Sequence, residues 1–113
     1  MTTTHETTGS TPSAVVWIDE RHAIVARTEG GPDRISMAEI ERGSEPEVQY
    51  LAHVVHEIGD QQRVMIVGAS TVKLALEREF VALSHRPDRL VAAPASANGA
   101  GRGIVDRLRR LAA

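Results

Sequence analysis

The stretch 63–79, RVMIVGASTVKLALERE, constrains the fold more than any other part of the chain. Val64, Met65, Ile66 and Val67 form a short, wholly apolar run. A run of that length reads as a strand buried on both faces, the signature of a central parallel strand. Gly68 follows at once and permits a sharp turn. Ser70 or Thr71 then supplies a hydroxyl that can cap a first helical turn. Val72, Ala75, Leu76 and Leu83 recur at helical spacing, with Phe80 beside them, so the helix has one face to lay on a sheet. A strand, a tight turn and a helix in that order are the seed of an α/β layer.

The flanking sequence supplies the other elements. Residues 14–18, AVVWI, predict a first strand, and Asp19 to His22 a turn. Residues 23–28, AIVART, predict a second strand. Glu29-Gly30-Gly31-Pro32-Asp33 is a turn cluster. Residues 34–40 give a third strand with Ile35, Met37 and Ile40 as its apolar positions. The three together make an antiparallel meander. After the polar connection 41–46, residues 47–58 predict an amphipathic helix with Val48, Leu51, Ala52, Val55 and Ile58 on one stripe. Ser44 is its expected N-cap, Glu45 and Glu47 suit the positive end of its dipole, and Gly59 stops it. Residues 90–93 predict a fifth strand. Residues 94–103, PASANGAGRG, form a loop, and Ile104, Val105, Leu108 and Leu111 mark a final helix. The predicted fold is α/β, a five-stranded mixed sheet in the order β-β-β-α-β-α-β-α with helices on both faces. The strand from Arg63 is expected beside the first strand and parallel to it, with right-handed crossovers setting the helix faces.

Length and composition bound the reading. The 113 residues suit one domain, 14–113, behind a threonine-rich tail at 1–13. Aromatic residues are few, so Val, Ile, Leu and Ala must build the core. A net charge of -2 implies no general attraction to nucleic acid or membranes, and no DNA partner is expected. The distribution is uneven: from Arg86 onward six arginines face two aspartates. Cysteine is absent, which excludes disulfides and thiolate metal sites. No apolar run approaches the roughly 20 residues of a membrane span, and the N-terminus lacks the regions of a signal peptide. A soluble cytoplasmic protein is the expectation.

At this point AVVWIDERHAIVARTEGG, YLAHVVHEIGD, RVMIVGASTVKLALEREF and RLVAAPA together resemble a known family. The chain is similar, over residues 14–111, to the middle domain of the archaeal and eukaryotic peptide-chain release factors and of Pelota. It is closest to short single-domain bacterial relatives described as release-factor-like. The V-W-I-D opening and I-V-G-x-x-x-x-K before a helix carry the resemblance best. It implies a mixed sheet with helices, like ribonuclease H in outline, and a translation setting. In the release factors a Gly-Gly-Gln loop between the third strand and the first helix promotes peptidyl-tRNA hydrolysis. Here the matching connection, residues 41–46, has no such motif. Gly30-Gly31-Pro32 sits one strand too early and reads as turn chemistry. Peptide release is therefore not implied.

No catalytic constellation stands out, so no enzyme activity, cofactor or metal is expected. Gly68 to Lys73 sits where a strand feeds a helix. Its free N–H groups, with Ser70, Thr71 and Lys73, make a candidate phosphate cradle, although it is not a Walker motif. The plain alternative is a tight turn with a cap. Asp19 ends the first strand, where ribonuclease H-like nucleases place a metal-binding acid. No second carboxylate completes a two-metal site, and a turn residue accepting local hydrogen bonds is the simpler reading. His53 and His56 share one side of a helix without a third ligand and read as the stripe's boundary with solvent. Arg102, Arg107, Arg109 and Arg110 decorate the last helix as candidate RNA contacts, against the alternative of cations at a helix C-terminus. Gly99, Gly101 and Gly103 precede that helix and read as a loop, not a dinucleotide fingerprint. The expected function is a non-catalytic accessory protein of translation that binds ribosome or RNA weakly. The alternatives are a small protein-interaction or regulatory module with no RNA role, a candidate dimer, and a ribonuclease H-like metal-dependent phosphodiesterase.

Overall fold

The structure is a computed structural model and describes residues 11–29, 34–68, 70–92 and 103–112, with only the backbone of Ser70. Four strands form one mixed sheet: β1 (Ser13–Ile18), β2 (His22–Thr28), β3 (Ile35–Glu41) and β4 (Arg63–Gly68). Helices α1 (Glu47–Ile58), α2 (Ser70–Ser84) and α3 (Ile104–Ala112) cover it. The sheet order is β3-β2-β1-β4. β1 pairs antiparallel with β2 and parallel with β4, from Ser13 opposite Arg63 to Ile18 opposite Gly68. The parallel pairing expected for the strand from Arg63 is present.

Two expectations about the sheet are corrected. Among the described residues the sheet has four strands, not five, and Ala93 of the predicted fifth strand lies outside them. Pro87–Arg89 forms a single 3-10 turn, and beyond it Leu90 makes one isolated parallel bridge to Val64. Nor is β4 the central strand: β1 and β2 hold the middle, and β4 lies at the rim. Its apolar run is explained by cover on both faces. Val64 and Ile66 join one core cluster and Met65 packs on the other, so a rim strand carries a central strand's composition.

Strand alternation divides the core in two. One sheet face buries Ala14, Val16, Ile18, Ala23, Val25, Val64 and Ile66 against α1 and α2. The opposite face buries Val15 and Ala26 against Ile104, Leu108 and Leu111 of α3. On α2, Val72, Leu76 and Phe80 are buried, whereas Leu83 is exposed. On α1 the buried stripe is Tyr50, Leu51, Val54 and Ile58, and Val48 is 60% exposed. The helix is thus turned from the expected stripe, because Tyr50 is drawn inward: its hydroxyl donates to the Asp19 carbonyl at 2.9 Å. Burial against that carbonyl pushes the phenol well above its usual range, with the Asp19 charge adding to the effect.

Helix ends are closed by the sheet. α1 starts at Pro46 with no side-chain cap, so Ser44 does not fill the expected role. At its other end Arg27 of β2 donates to the Glu57 carbonyl at 2.7 Å, and Gly59 adopts a left-handed φ of 69°. On the opposite face Arg63 of β4 donates to the Leu111 carbonyl of α3 at 2.7 Å. The last tail residues belong to the fold. Ser13 is buried in β1, Thr11 N–H donates to Ala112, and the Pro12 carbonyl accepts from Gln62 and Arg63. Residues 1–10 of the expected tail lie outside the described residues.

Candidate functional site

The strand-to-helix turn after β4 is built around Gly68. Its φ is +127°, and a Cβ there would stand 2.1 Å from the Ile18 carbonyl oxygen. That oxygen is backbone of β1 and cannot yield, so only glycine lets β4 end against β1 and α2 begin. Among the candidates for a phosphate cradle, Thr71 is exposed, while Lys73 is partly covered and lies 4.0 Å from Glu77 one turn on. The lysine is directed along α2, not held over the turn. The Ser70 side chain lies outside the described residues.

The arginines of α3 stand elsewhere. Ile104, Leu108, Leu111 and Ala112 face the sheet, which leaves Asp106, Arg109 and Arg110 exposed and Arg107 half-buried. At about 100° per residue, Arg107 and Arg110 share one flank and Arg109 the other, with Asp106 between. Among the described residues none of the three arginines is paired with a carboxylate within 4.0 Å. Arg109 and Arg110 lie in the last turn, where the helix dipole favours cations. Arg102 lies outside the described residues, as do Gly30-Gly31-Pro32, Gly99 and Gly101.

The two groups do not converge. α2 begins where β1 and β4 end and packs on one face, whereas α3 ends against Thr11 and Arg63, where those strands begin, on the other face. A six-residue strand of roughly 20 Å separates them lengthwise. They are two separate surfaces, and a single phosphate or RNA pocket cannot use both.

The third locus is the β3–α1 connection, which the family resemblance singles out and composition alone does not. Arg42 is its hub. Its backbone N–H donates to Arg21 at 2.8 Å, its Nε to the Glu45 carbonyl at 2.9 Å, and its Nη1 to the Glu20 carbonyl at 3.4 Å. Its guanidinium lies 6.0 Å from the Tyr50 ring centre. Asp19 fixes the neighbouring turn, its Oδ1 accepting from the N–H groups of Arg21 and His22 at 2.8 Å each. Partial burial raises the Asp19 pKa, but those two hydrogen bonds and the nearby charges of His22 and Arg21 outweigh it. The carboxyl is held below its usual range. A recess of ≈ 480 Å³ lies here, lined by Glu20, Arg21, Glu41, Arg42 and Glu45 among others. The connection is a short hydrogen-bonded turn gathered around Arg42.

The described histidines of α1 stand apart from the loci above. His53 Nδ1 is 3.4 Å from Glu45 Oε1, and His56 is exposed at the end of α1. Among the described residues no group of three or more His, Asp or Glu is placed to hold a metal ion. No described helix is long and apolar enough to cross a membrane.

Neither a family model nor a curated protein matches the chain. Solved structures do. Pelota from Archaeoglobus fulgidus superposes with a TM-score of 0.62 at 16% identity, over 89% of this chain and 31% of that one. Pelota from Thermoplasma acidophilum superposes with a TM-score of 0.54 at 16% identity, over 78% of this chain and 30% of that one. The chain thus spans about a third of the Pelota proteins it matches. At such identity the likeness speaks for architecture: the chain has a Pelota-like α/β fold.

Proposed function

We propose that the chain is a non-catalytic accessory protein of translation that contacts ribosomal RNA or a ribosomal partner weakly, in the cytoplasm, through the arginines of α3. The observation that carries this reading is the Pelota-like fold over 89% of the chain. Two features support its finer points. The β3–α1 connection is drawn in by Arg42, which leaves no loop to enter a distant reaction centre. Arg107, Arg109 and Arg110 stand on an outward helix surface free of carboxylate partners among the described residues. Arginine suits bidentate phosphate contact, and three such contacts give a weak, salt-sensitive association.

The test is sedimentation of the full chain with purified ribosomes at low and high salt. The chain should travel with ribosomes at low salt and be released at high salt. The triple variant Arg107→Glu, Arg109→Glu, Arg110→Glu should remain in the free fraction throughout. A parent chain found free at low salt overturns the reading. Unchanged retention of the triple variant moves the contact off α3.

A further inference from the structure

The sheet ends on one side at β3, and the outer edge of that strand is unpaired among the described residues. The hydrogen bonds at its two ends fix which backbone groups are open. Arg42 N–H donates to the Arg21 carbonyl, and Glu29 N–H donates to the Arg34 carbonyl. Antiparallel pairs alternate between bonded and non-bonded, so Arg34, Ser36, Ala38, Ile40 and Arg42 turn their backbone groups to β2. Ile35, Met37, Glu39 and Glu41 turn theirs to the open edge. The side chains of these same residues share one sheet face. Ile35 is half-buried there, Met37 is 52% exposed, and Glu39 and Glu41 are exposed. No described cation lies within 4.0 Å of either carboxylate. A seven-residue edge with free N–H and C=O groups is a template for a further strand.

The order of side chains says which strand fits. In antiparallel docking on this edge, residues directly opposite each other share a sheet face and touch. A second copy of β3 offers only Ile35, Met37, Glu39 and Glu41 in return. Each glutamate then meets an apolar side chain or another glutamate in every register. With Ala38 facing Ala38, for instance, Ile35 meets Glu41 and Met37 meets Glu39. The two carboxylates thus guard the edge against self-pairing. A different segment escapes that penalty when it sets cations against Glu39 and Glu41 and apolar side chains against Met37 and Ile35. We propose that the β3 edge docks an extended segment of a protein partner, running antiparallel to β3. In chain order that segment carries lysine or arginine at two alternate positions and then apolar residues at the next two. Main-chain hydrogen bonds to Ile35, Met37, Glu39 and Glu41 supply the affinity, and the alternating side chains supply the selectivity. The docking requires neither RNA nor the arginines of α3, so it stands or falls apart from the proposed function.

The probe is the end-blocked synthetic peptide Lys-Thr-Lys-Thr-Val-Thr-Val, titrated to about 2 mM into the isotope-labelled full chain and followed by NMR shifts and amide exchange. Without peptide, the amides of Ser36, Ala38 and Ile40 should exchange slowly and those of Ile35, Met37, Glu39 and Glu41 fast. With peptide, the second set should slow at least about threefold. The double variant Glu39→Lys with Glu41→Lys should bind this peptide at least about tenfold more weakly. It should instead bind Glu-Thr-Glu-Thr-Val-Thr-Val, which the parent should not. Met37→Pro removes an outward N–H and leaves the ladder to β2 whole, so it too should weaken binding at least about tenfold. Far-UV circular dichroism confirms that each variant is folded, and the exchange of charge between chain and peptide decides the matter if Met37→Pro is not. Peptide-induced changes confined to other residues overturn the proposal. So does binding indifferent to the charge reversal. Edge amides that gain protection with protein concentration alone would show a second copy there and overturn it as well.

Discussion

At the residue scale two backbone positions set the sharpest expectations. Gly68→Ala would drive a Cβ into the Ile18 carbonyl at a φ that L side chains avoid. Relief would require parting β4 from β1 at their last pair. The substitution should cost at least about 3 kcal/mol, read from urea unfolding, and a loss under about 1 kcal/mol would mean that the turn is looser than described. His85 offers the opposite case. It closes α2 with a φ of 57°, its N–H donating to Val81 at 2.8 Å. A non-glycine residue there carries strain, so His85→Gly should raise stability by about 1 kcal/mol, seen as a higher urea midpoint at an unchanged slope. Gly68 is legible as a turn glycine because it stands between an apolar run and a helical period. The close approach of Ile18 was not legible, since it arises from pairing with a strand some fifty residues away. Residues 85–88 are legible as the end of α2, but the left-handed turn at His85 is not.

At the scale of elements, the strands and helices were legible wherever local chemistry decides them and failed where a partner decides. The bounds of α1 follow from Pro46 and Gly59 and matched expectation, but its buried stripe did not. Tyr50 answers to Asp19, and no periodicity within the helix can express that contact. The predicted fifth strand failed because Pro87–Arg89 curls the chain and leaves Leu90 a single bridge. Asp19 joins these elements and gives a pH dependence with a definite sign. Its folded pKa lies below the unfolded value, so its stabilising contribution is present above about pH 4 and is lost as pH falls through the lower, folded value. Asp19→Asn keeps the acceptor oxygen and removes the charge. The variant should unfold more readily than the parent at pH 7, and the gap should close by about pH 2 in urea titrations. A gap of equal size at both pH values would show that the charge contributes nothing to the turn. The candidate sites fared less well than the elements. Arginine clusters and strand-to-helix turns can be found by eye, yet only the topology shows that α3 and the start of α2 lie on opposite faces and ends.

Across the whole molecule the two sheet faces are unequal, and that inequality bears on the proposed role. One face buries a large cluster with Phe80, Tyr50 and Leu76 at its centre, shared by two helices. Among the described residues the other is held by one nine-residue helix through Ile104, Leu108 and Leu111. A helix that short is marginal alone and depends on docking. Its end is secured by Arg63 to the Leu111 carbonyl and by Thr11 to Ala112. β4 lies at the rim and still serves both faces, which is why its composition misled and its pairing did not. The consequence is a hierarchy of opening: α3 should detach before the sheet and the α1–α2 layer unfold. Native-state hydrogen exchange should find the α3 amides less protected than those of β1, α1 or α2. Leu108→Ala, which removes the fully buried anchor, should cost about 2–5 kcal/mol of docking and lower α3 protection while sparing the other face. If α3 exchanges only through global unfolding, the two layers are one cooperative unit and this account of the sheet fails. If it exchanges early, the arginines proposed to meet RNA ride on the least firmly held element. A phosphate backbone gripping them should then raise α3 protection selectively, which ties the fold's weakest junction to its proposed contact.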